Sequence, residues 1–318
     1  MRGEQSLRRE RRIFKGDGLL KTKWNLARNW SLYVMLIPSV IILIIFSYIP
    51  MGGITLAFQN YRLGNGFFES DWVGLKWFRD LFTMPDFRYI LRNTVVIACA
   101  KIVANLLAAV TFALLLNELK QVLIKRTVQT IVYLPNFLSW VIIGGVFIEL
   151  LSIGGVVNQF TGLFGIKPIL FLGSNDWFQT TMVVIDVWKS FGWGAIIYLA
   201  ALTNINQELY EAAAIDGANR LRQTWHITLT GIRPTIVLMS ALSLGNVLNA
   251  GFEQILIMYS PIVYRTGDII DTFVYRQGLL DLQFSLATAV GLFKSVIGFG
   301  LIMLSNYLAK RFADYRIF

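Results

Sequence analysis

Six charged residues stand inside long apolar runs: Lys101, Lys189, Lys294, Glu149, Asp186 and Glu253. A charge at membrane depth costs about 2.5–3.5 kcal/mol or more, so each must face a partner or a water-filled path. Asp186 and Lys189 are three residues apart, a spacing at which two helical side chains meet, and local pairing is expected. Asn246, Asn249 and Glu253 fall at i, i+3 and i+7 and would share one helical face. Asn136, Ser139 and Trp140 cluster in another run, and Trp188 and Trp193 flank Lys189. Such a set suits a sugar, because amides and acids bond hydroxyls while flat rings cover the apolar sugar face. Asn136, Trp140, Asp186, Trp188, Lys189, Trp193, Asn246, Asn249 and Glu253 are therefore candidates for a substrate path. The competing reading of each is structural: interhelical hydrogen bonds, ordinary packing and an ion pair that fixes helix orientation. Equal numbers of intramembrane acids and bases leave the charge of the sugar open.

Catalytic chemistry is not written in the chain. The single cysteine, Cys99, and single histidine, His226, rule out an internal disulfide and a histidine-rich metal site. There is no His-Glu-x-x-His, no Gly-x-Ser-x-Gly and no phosphate-cradling Gly-x-x-x-x-Gly-Lys-Ser/Thr. No catalytic residue, metal or cofactor is expected on this chain. If ATP drives it, hydrolysis happens on another polypeptide.

The elements that must position these residues follow from composition. Of 318 residues, 55% are hydrophobic and 15% charged, and the mean hydropathy is +0.58. That composition belongs to a membrane protein. Six runs reach the roughly 20 apolar residues that a spanning helix needs: Ser31–Ile54, Thr94–Leu116, Val128–Leu151, Thr181–Leu202, Thr235–Met258 and Ser285–Ala309. The expected fold is an all-α polytopic membrane protein. A basic arm (1–30) precedes the membrane domain (31–309), and a tail (310–318) follows it. The first run is too long for a signal-peptide core, so no cleaved leader is expected.

Charge sets the orientation. The arm, the Asn117–Thr127 and Thr203–Pro234 loops and the tail hold 18 basic residues against 8 acids, whereas the alternate loops hold 8 of each. The first set thus carries the whole net charge of +10. By the positive-inside rule both termini and the 203–234 loop are cytoplasmic. This also accounts for the basic excess of Arg8, Arg9, Arg11, Arg12, Lys15, Lys21 and Lys23 without a nucleic-acid partner. On the opposite side, the first loop holds Phe67, Phe68, Trp72, Trp77, Phe78 and Phe82. Gly74 to Phe82 could form a short interfacial helix, serving as an aromatic belt at the headgroups or as a docking surface.

The 203–234 loop differs from the others. Asn204 or Asn206 can cap a helix carrying Glu208 and Glu211 in its early turns and three alanines after them. Gly217 can take the left-handed conformation that ends it. Leu221, Trp225 and Leu229 then recur every four residues as an apolar stripe on a second helix, which Gly231 and Pro234 are expected to stop.

At these residues the chain resembles a known family. Glu211-Ala212-Ala213, Asp216-Gly217-Ala218, Ile227 and Leu229 are similar to the EAA motif of the permeases of binding-protein-dependent ABC importers. Gly217 follows Ala213 by four and Ile227 follows Gly217 by ten, as in the family. Thr230 stands where the family usually has proline, and Pro234 matches a later family proline. Phe46-Ser47-Tyr48-Ile49-Pro50, Leu116-Asn117-Glu118-Leu119, Tyr133-Leu134-Pro135 and Ala289 to Ser295 resemble the sugar permeases, in particular those for oligosaccharides released from polysaccharides. The resemblance implies the type I ABC importer architecture in a bacterial plasma membrane. It implies that Glu211, Ala212, Ala213, Asp216, Gly217 and Ala218 form a coupling helix seated on an ATPase subunit. The implied partners are a second related permease, two ATP-binding subunits that carry ATP and Mg, and an extracytoplasmic solute-binding protein. The alternative is an ion-gradient-driven secondary transporter, which buried charges would also suit. A membrane enzyme is the more distant rival.

Overall fold

The computed structural model describes residues 30–62, 64, 66 and 69–313. Among these the chain is helical, and its one β-contact is an isolated bridge between Gln59 and Trp72. The basic arm, Phe67, Phe68 and the end of the tail lie outside the described residues. The chain divides after Gly53 into two units. In the first, α1 (Trp30–Leu43) continues into a π-turn at Ile44–Tyr48. It is apolar all round and exposes Met35, Leu36, Ile42 and Phe46, as a lipid-facing helix must.

The second unit contains the remaining elements. α2 (Lys76–Thr83) is the expected interfacial helix. The Trp77 indole donates to the Gln59 carbonyl at 2.9 Å, and Phe58 stacks on Trp72 at 5.7 Å. α3 (Pro85–Glu118) runs 34 residues, about 50 Å at 1.5 Å per residue, and so starts well before the apolar run it carries. α4 (Val122–Tyr133) and α5 (Trp140–Leu150) cover the expected third span, but Leu134–Phe137 between them is a 3₁₀ turn and the pair is bent by 100°. The chain leaves helical geometry at Leu138 and Ser139, with ψ of 142° and 154°, and the Ser139 hydroxyl caps the next helix by accepting from the Ile142 N–H at 3.3 Å. α6 (Phe178–Leu202) is the fourth span. α7 (Gln207–Ile215) and α8 (Arg220–Gln223) form the cytoplasmic-type loop. α9 (Leu229–Leu244), α10 (Phe252–Met258), α11 (Ile270–Tyr275) and α12 (Phe284–Ala313) follow, and shorter helices stand at Val156–Gly162 and Tyr264–Gly267.

Gly231 and Pro234 do not stop the second loop helix. Arg220–Leu244 is one continuous helix, wound through a π-turn at Thr224–Thr228. A proline removes one donor, and spanning helices tolerate that loss. Gly231 instead permits close approach, since a Cβ there would lie 2.8 Å from Ile205 Cδ1. The fifth span is therefore Arg220–Leu244, and the expected Thr235–Met258 run is broken at 245–251. Asn246, Asn249 and Glu253 consequently do not share one helical face: the first two lie in the break and Glu253 lies on α10.

α3 and α6 pack along their length around the main core, with Ile97, Met182 and Ile185 fully buried against Ile255 and Leu286. Small residues let spans approach. A Cβ on Gly192 of α6 would fall 2.6 Å from the Val132 carbonyl of α4, and one on Gly144 of α5 would fall 2.5 Å from Ile257 Cγ2 of α10.

Candidate functional site

The loop between α6 and α9 folds as a compact lever. Asn206 is the cap of the two candidates: its side-chain oxygen accepts from the Glu208 N–H at 3.0 Å. At the other end, Gly217 has φ +76°. The Gly217 N–H bonds the Ala214 carbonyl at 3.1 Å and the Ala218 N–H bonds the Ala213 carbonyl at 2.8 Å. These two bonds are a Schellman closure, which satisfies carbonyls that the helix end would otherwise orphan. Asn219 then caps α8 by accepting from Arg222 N–H at 2.9 Å. The Tyr210 and Thr228 hydroxyls meet at 3.0 Å, tying α7 to the π-turn.

Glu211, Ala212 and Asp216 face outward on this lever. Ile215 is 88% exposed, Leu221 81% and Trp225 69%. The expected stripe of Leu221, Trp225 and Leu229 is thus largely uncovered in the isolated chain. Contiguous exposed apolar side chains beside an acid mark an interaction surface.

A cavity of about 330 Å³, mostly apolar but with polar groups on its wall, lies between α3, α6 and α9, reaching the break that follows α9. Its polar lining is Lys101, Asn105, Asp186, Tyr198, Ser240, Ser243, Asn246 and Asn249. Lys101 pairs with Asp186 at 3.3 Å, and Asn105 donates to the other Asp186 oxygen at 2.8 Å. The Lys101 ammonium also donates to the Ala250 carbonyl at 2.8 Å and to the Gln254 side chain. On the far side of the break, Lys294 of α12 bonds Asn249 at 2.9 Å and Asp271 at 2.6 Å.

Of the nine candidate path residues, Asp186, Asn246 and Asn249 line this cavity. The expected local pair of Asp186 and Lys189 does not form. Asp186 turns to Lys101 across the helix interface, while the Lys189 ammonium takes the carbonyls of Pro135, Asn136 and Leu138 at 3.3, 3.2 and 2.5 Å. Those carbonyls are freed by the break between α4 and α5, and they outcompete a carboxylate one turn away. Trp140 lies 5.1 Å from the Lys189 ammonium, as a cation–π partner. Trp188 packs edge-on against Phe147 at 5.3 Å and Trp193 against Phe137 at 5.6 Å, both partly exposed. Glu253 and Glu149 are exposed. Asn105, Tyr198, Ser240 and Ser243 were missed by the sequence reading. Ser240 and Ser243, three apart in an apolar helix, were the available signal.

A second polar cluster closes the opposite end of the core. Asp268, 3% exposed, bonds Arg276 at 2.5 Å and the Thr272 hydroxyl at 2.7 Å. Arg276 also lies 4.3 Å from the Tyr264 ring. Burial opposes the Arg276 charge, but Asp268 more than offsets it and holds the guanidinium charged. Burial, reinforced by Tyr264, pushes the Tyr259 phenol up to about 12. Asn93 of α3 donates to the carbonyls of Arg265 and Asp268 at 3.1 Å each.

A bundle of spanning helices around a cavity that carries polar groups, with a capped lever on one loop, defines a membrane transport subunit. Residues 102–314 match the family of binding-protein-dependent transport system inner membrane components. The chain belongs to that family: it is a bacterial multi-pass inner-membrane permease of the ABC importers. It is 42% identical to Protein LplB of Bacillus subtilis over 92% of each chain. It is also 42% identical to the polygalacturonan/rhamnogalacturonan transport system permease protein YteP of Bacillus subtilis, over 96% of each. Among solved structures, it matches a chain of a bacterial ABC transporter involved in import of the acidic polysaccharide alginate. That match has a TM-score of 0.83 at 36% identity and covers 90% of this chain and 97% of that one. A structure of an alginate transporter in complex with an alginate pentasaccharide-bound periplasmic protein matches at a TM-score of 0.84 and 34% identity, covering 93% and 100%.

Proposed function

We propose that this chain is one of two membrane-spanning subunits of an ATP-driven importer for an acidic oligosaccharide released from a polysaccharide. One observation carries the reading: the lever at 206–219 turns through Gly217 and Asn219 directly into Arg220–Leu244, a continuous helix whose far end lines the cavity. Force applied at the exposed Ile215, Leu221 and Trp225 surface would reach the cavity along Arg220–Leu244, to which α7 is tied by the Tyr210–Thr228 hydrogen bond. The charge asymmetry of the loops supports placing that surface in the cytoplasm. There it would seat an ATPase subunit, which supplies ATP and Mg for a chain that has no phosphate-binding loop. An extracytoplasmic solute-binding protein would deliver the sugar, and a second, related permease would complete the path.

The relatives named for polygalacturonan and alginate support an acidic substrate. In this subunit Lys101 is already neutralised by Asp186, so the cavity offers hydroxyls and amides: Tyr198, Ser240, Ser243, Asn246 and Asn249. These groups suit sugar hydroxyls, and we assign the sugar carboxylates to the second permease.

The test is uptake into vesicles holding the full assembly, with radiolabelled trigalacturonate as probe. Uptake that needs hydrolysable ATP inside and survives an ionophore supports the proposal. Uptake that persists without the ATPase subunits and collapses with the ionophore refutes it in favour of ion-gradient transport. Equal uptake of a neutral trisaccharide would refute the acidic specificity.

A further inference from the structure

The chain breaks immediately after the fifth span, and the break is held from outside. Between α9 and α10 the chain leaves helical geometry at 245–251, and Gly251 has φ +91°. The groups that broken backbone exposes must be satisfied within the protein. Lys101 of α3 does so: its ammonium takes the Ala250 carbonyl at 2.8 Å and the Gln254 side chain. Gln254 in turn donates to the Met182 carbonyl of α6 at 2.9 Å. Asp186 neutralises the ammonium at 3.3 Å and is itself fixed by Asn105. Gly251 leaves room for this arrangement, since a Cβ there would lie 2.6 Å from the Lys101 nitrogen. Lys101 is 5% exposed and Gln254 is fully buried, so water does not compete.

The geometry points to Lys101 as a positioning residue that anchors the upper side of the break to α3 and α6, making 245–251 the hinge through which the lever opens the cavity. The inference rests on the coupling reading proposed above. α9 is joined to the lever, whereas α10 is pinned to the bundle by Lys101 and Gln254. A push on the lever therefore has one place to be absorbed, at the cavity wall formed by Ser243, Asn246 and Asn249. Without the anchor, α10 would follow α9, and the displacement would spread into the outer segment without opening the wall. Lys294 bonds Asn249 from the opposite side and limits travel of the break itself.

The test uses the assembled transporter in vesicles, in a Cys99→Ala background with Ser243→Cys as reporter. Cys99 is the exposed native cysteine and must be removed. Labelling by a membrane-impermeant maleimide is followed with and without ATP plus vanadate, alongside ATP hydrolysis. With Lys101 present, labelling should change by about five-fold or more between the two states, the range of an ordinary coupling between sites. In Lys101→Met that change should vanish while hydrolysis persists. Because Lys101→Met strands Asp186, the double variant Lys101→Met/Asp186→Asn is measured too. It carries no unpaired charge and should lose the response in the same way. A double variant whose labelling still follows nucleotide overturns the proposal. So does one in which hydrolysis and labelling decline together, which would mean that Lys101 serves assembly alone. If labelling ignores nucleotide with Lys101 in place, the coupling reading itself fails, independently of the anchor.

Discussion

The turn at Gly217 allows the coupling reading to be tested quantitatively. Its φ of +76° lies in the left-handed region, and an added Cβ would meet nothing within 4 Å. The cost of substitution is therefore backbone strain alone, uncontaminated by collision. Alanine should cost about 1–2 kcal/mol, and a β-branched valine about 3 kcal/mol, the upper end for such strain. Asparagine, several-fold enriched in this conformation, should cost least. A shift of 1–2 kcal/mol changes the ratio of closed to opened turn by a factor of about 5–30. Opening releases the Ala213 and Ala214 carbonyls from their bonds to Ala218 and Gly217. If the ATPase subunit binds only the closed turn, its apparent affinity declines with the closed fraction. The assay is the amount of ATPase subunit retained per permease after purification, with uptake per ATP hydrolysed measured on the same preparations. The expected order is Gly217, then Asn, Ala and Val. Valine behaving like glycine would refute the reasoning. Asparagine as harmful as valine would also refute it, because the partner would then be reading side-chain bulk rather than backbone shape.

Other substitutions probe other parts of the argument. Glu211→Gln, on the exposed face of the lever, should reduce ATPase retention while leaving the amount of permease in the membrane unchanged, read by quantitative blotting. Gly192→Ala drives a Cβ to 2.6 Å from the Val132 carbonyl and should destabilise by about 1–3 kcal/mol, seen as a lower melting temperature in detergent. Gly194→Ala, which would meet only Ala109 Cβ at 3.4 Å, is the matched control and should melt like the parent. Asp268→Asn leaves Arg276 without its counter-charge. With the Arg276 side chain 20% exposed, the loss should be about 3 kcal/mol, the lower end for a broken buried pair. Limited proteolysis should then cut first within 259–283.

The helices were legible because hydropathy is additive along a run: α1, α6 and α12 lie where their apolar runs lie. The interruptions were not, because an average over twenty residues hides a break of four to seven residues. Pro135 sits in an apolar context three residues before the break in the third span, while Pro234 sits in a similar one inside an unbroken helix. Neither outcome follows from the proline alone, since neighbouring elements decide whether the freed carbonyls find partners. The loop was more legible, as its capping amide, its alanines and Gly217 act locally and need no tertiary information. The ion pairs were the least legible. Spacing suggested Asp186 with Lys189, yet each found a partner on another element, and the lysine that matters at the cavity, Lys101, has its counter-charge 85 residues away in sequence.

The wide turn at Thr224–Thr228 carries a consequence for rotation. A π-turn accommodates one residue more than the regular spiral around it, and each residue of an α-helix advances the azimuth by about 100°. One residue excised from the wide turn is absorbed as the spiral closes up, whereas one excised from the regular stretch 229–244 would swing everything on the loop side by about a quarter-turn or more relative to the span. The surface bearing Ile215 and Leu221 would then point at a different neighbour although every one of its side chains was untouched. The wide turn is thus a stretch of this helix where a residue can be lost without re-aiming the face beneath it.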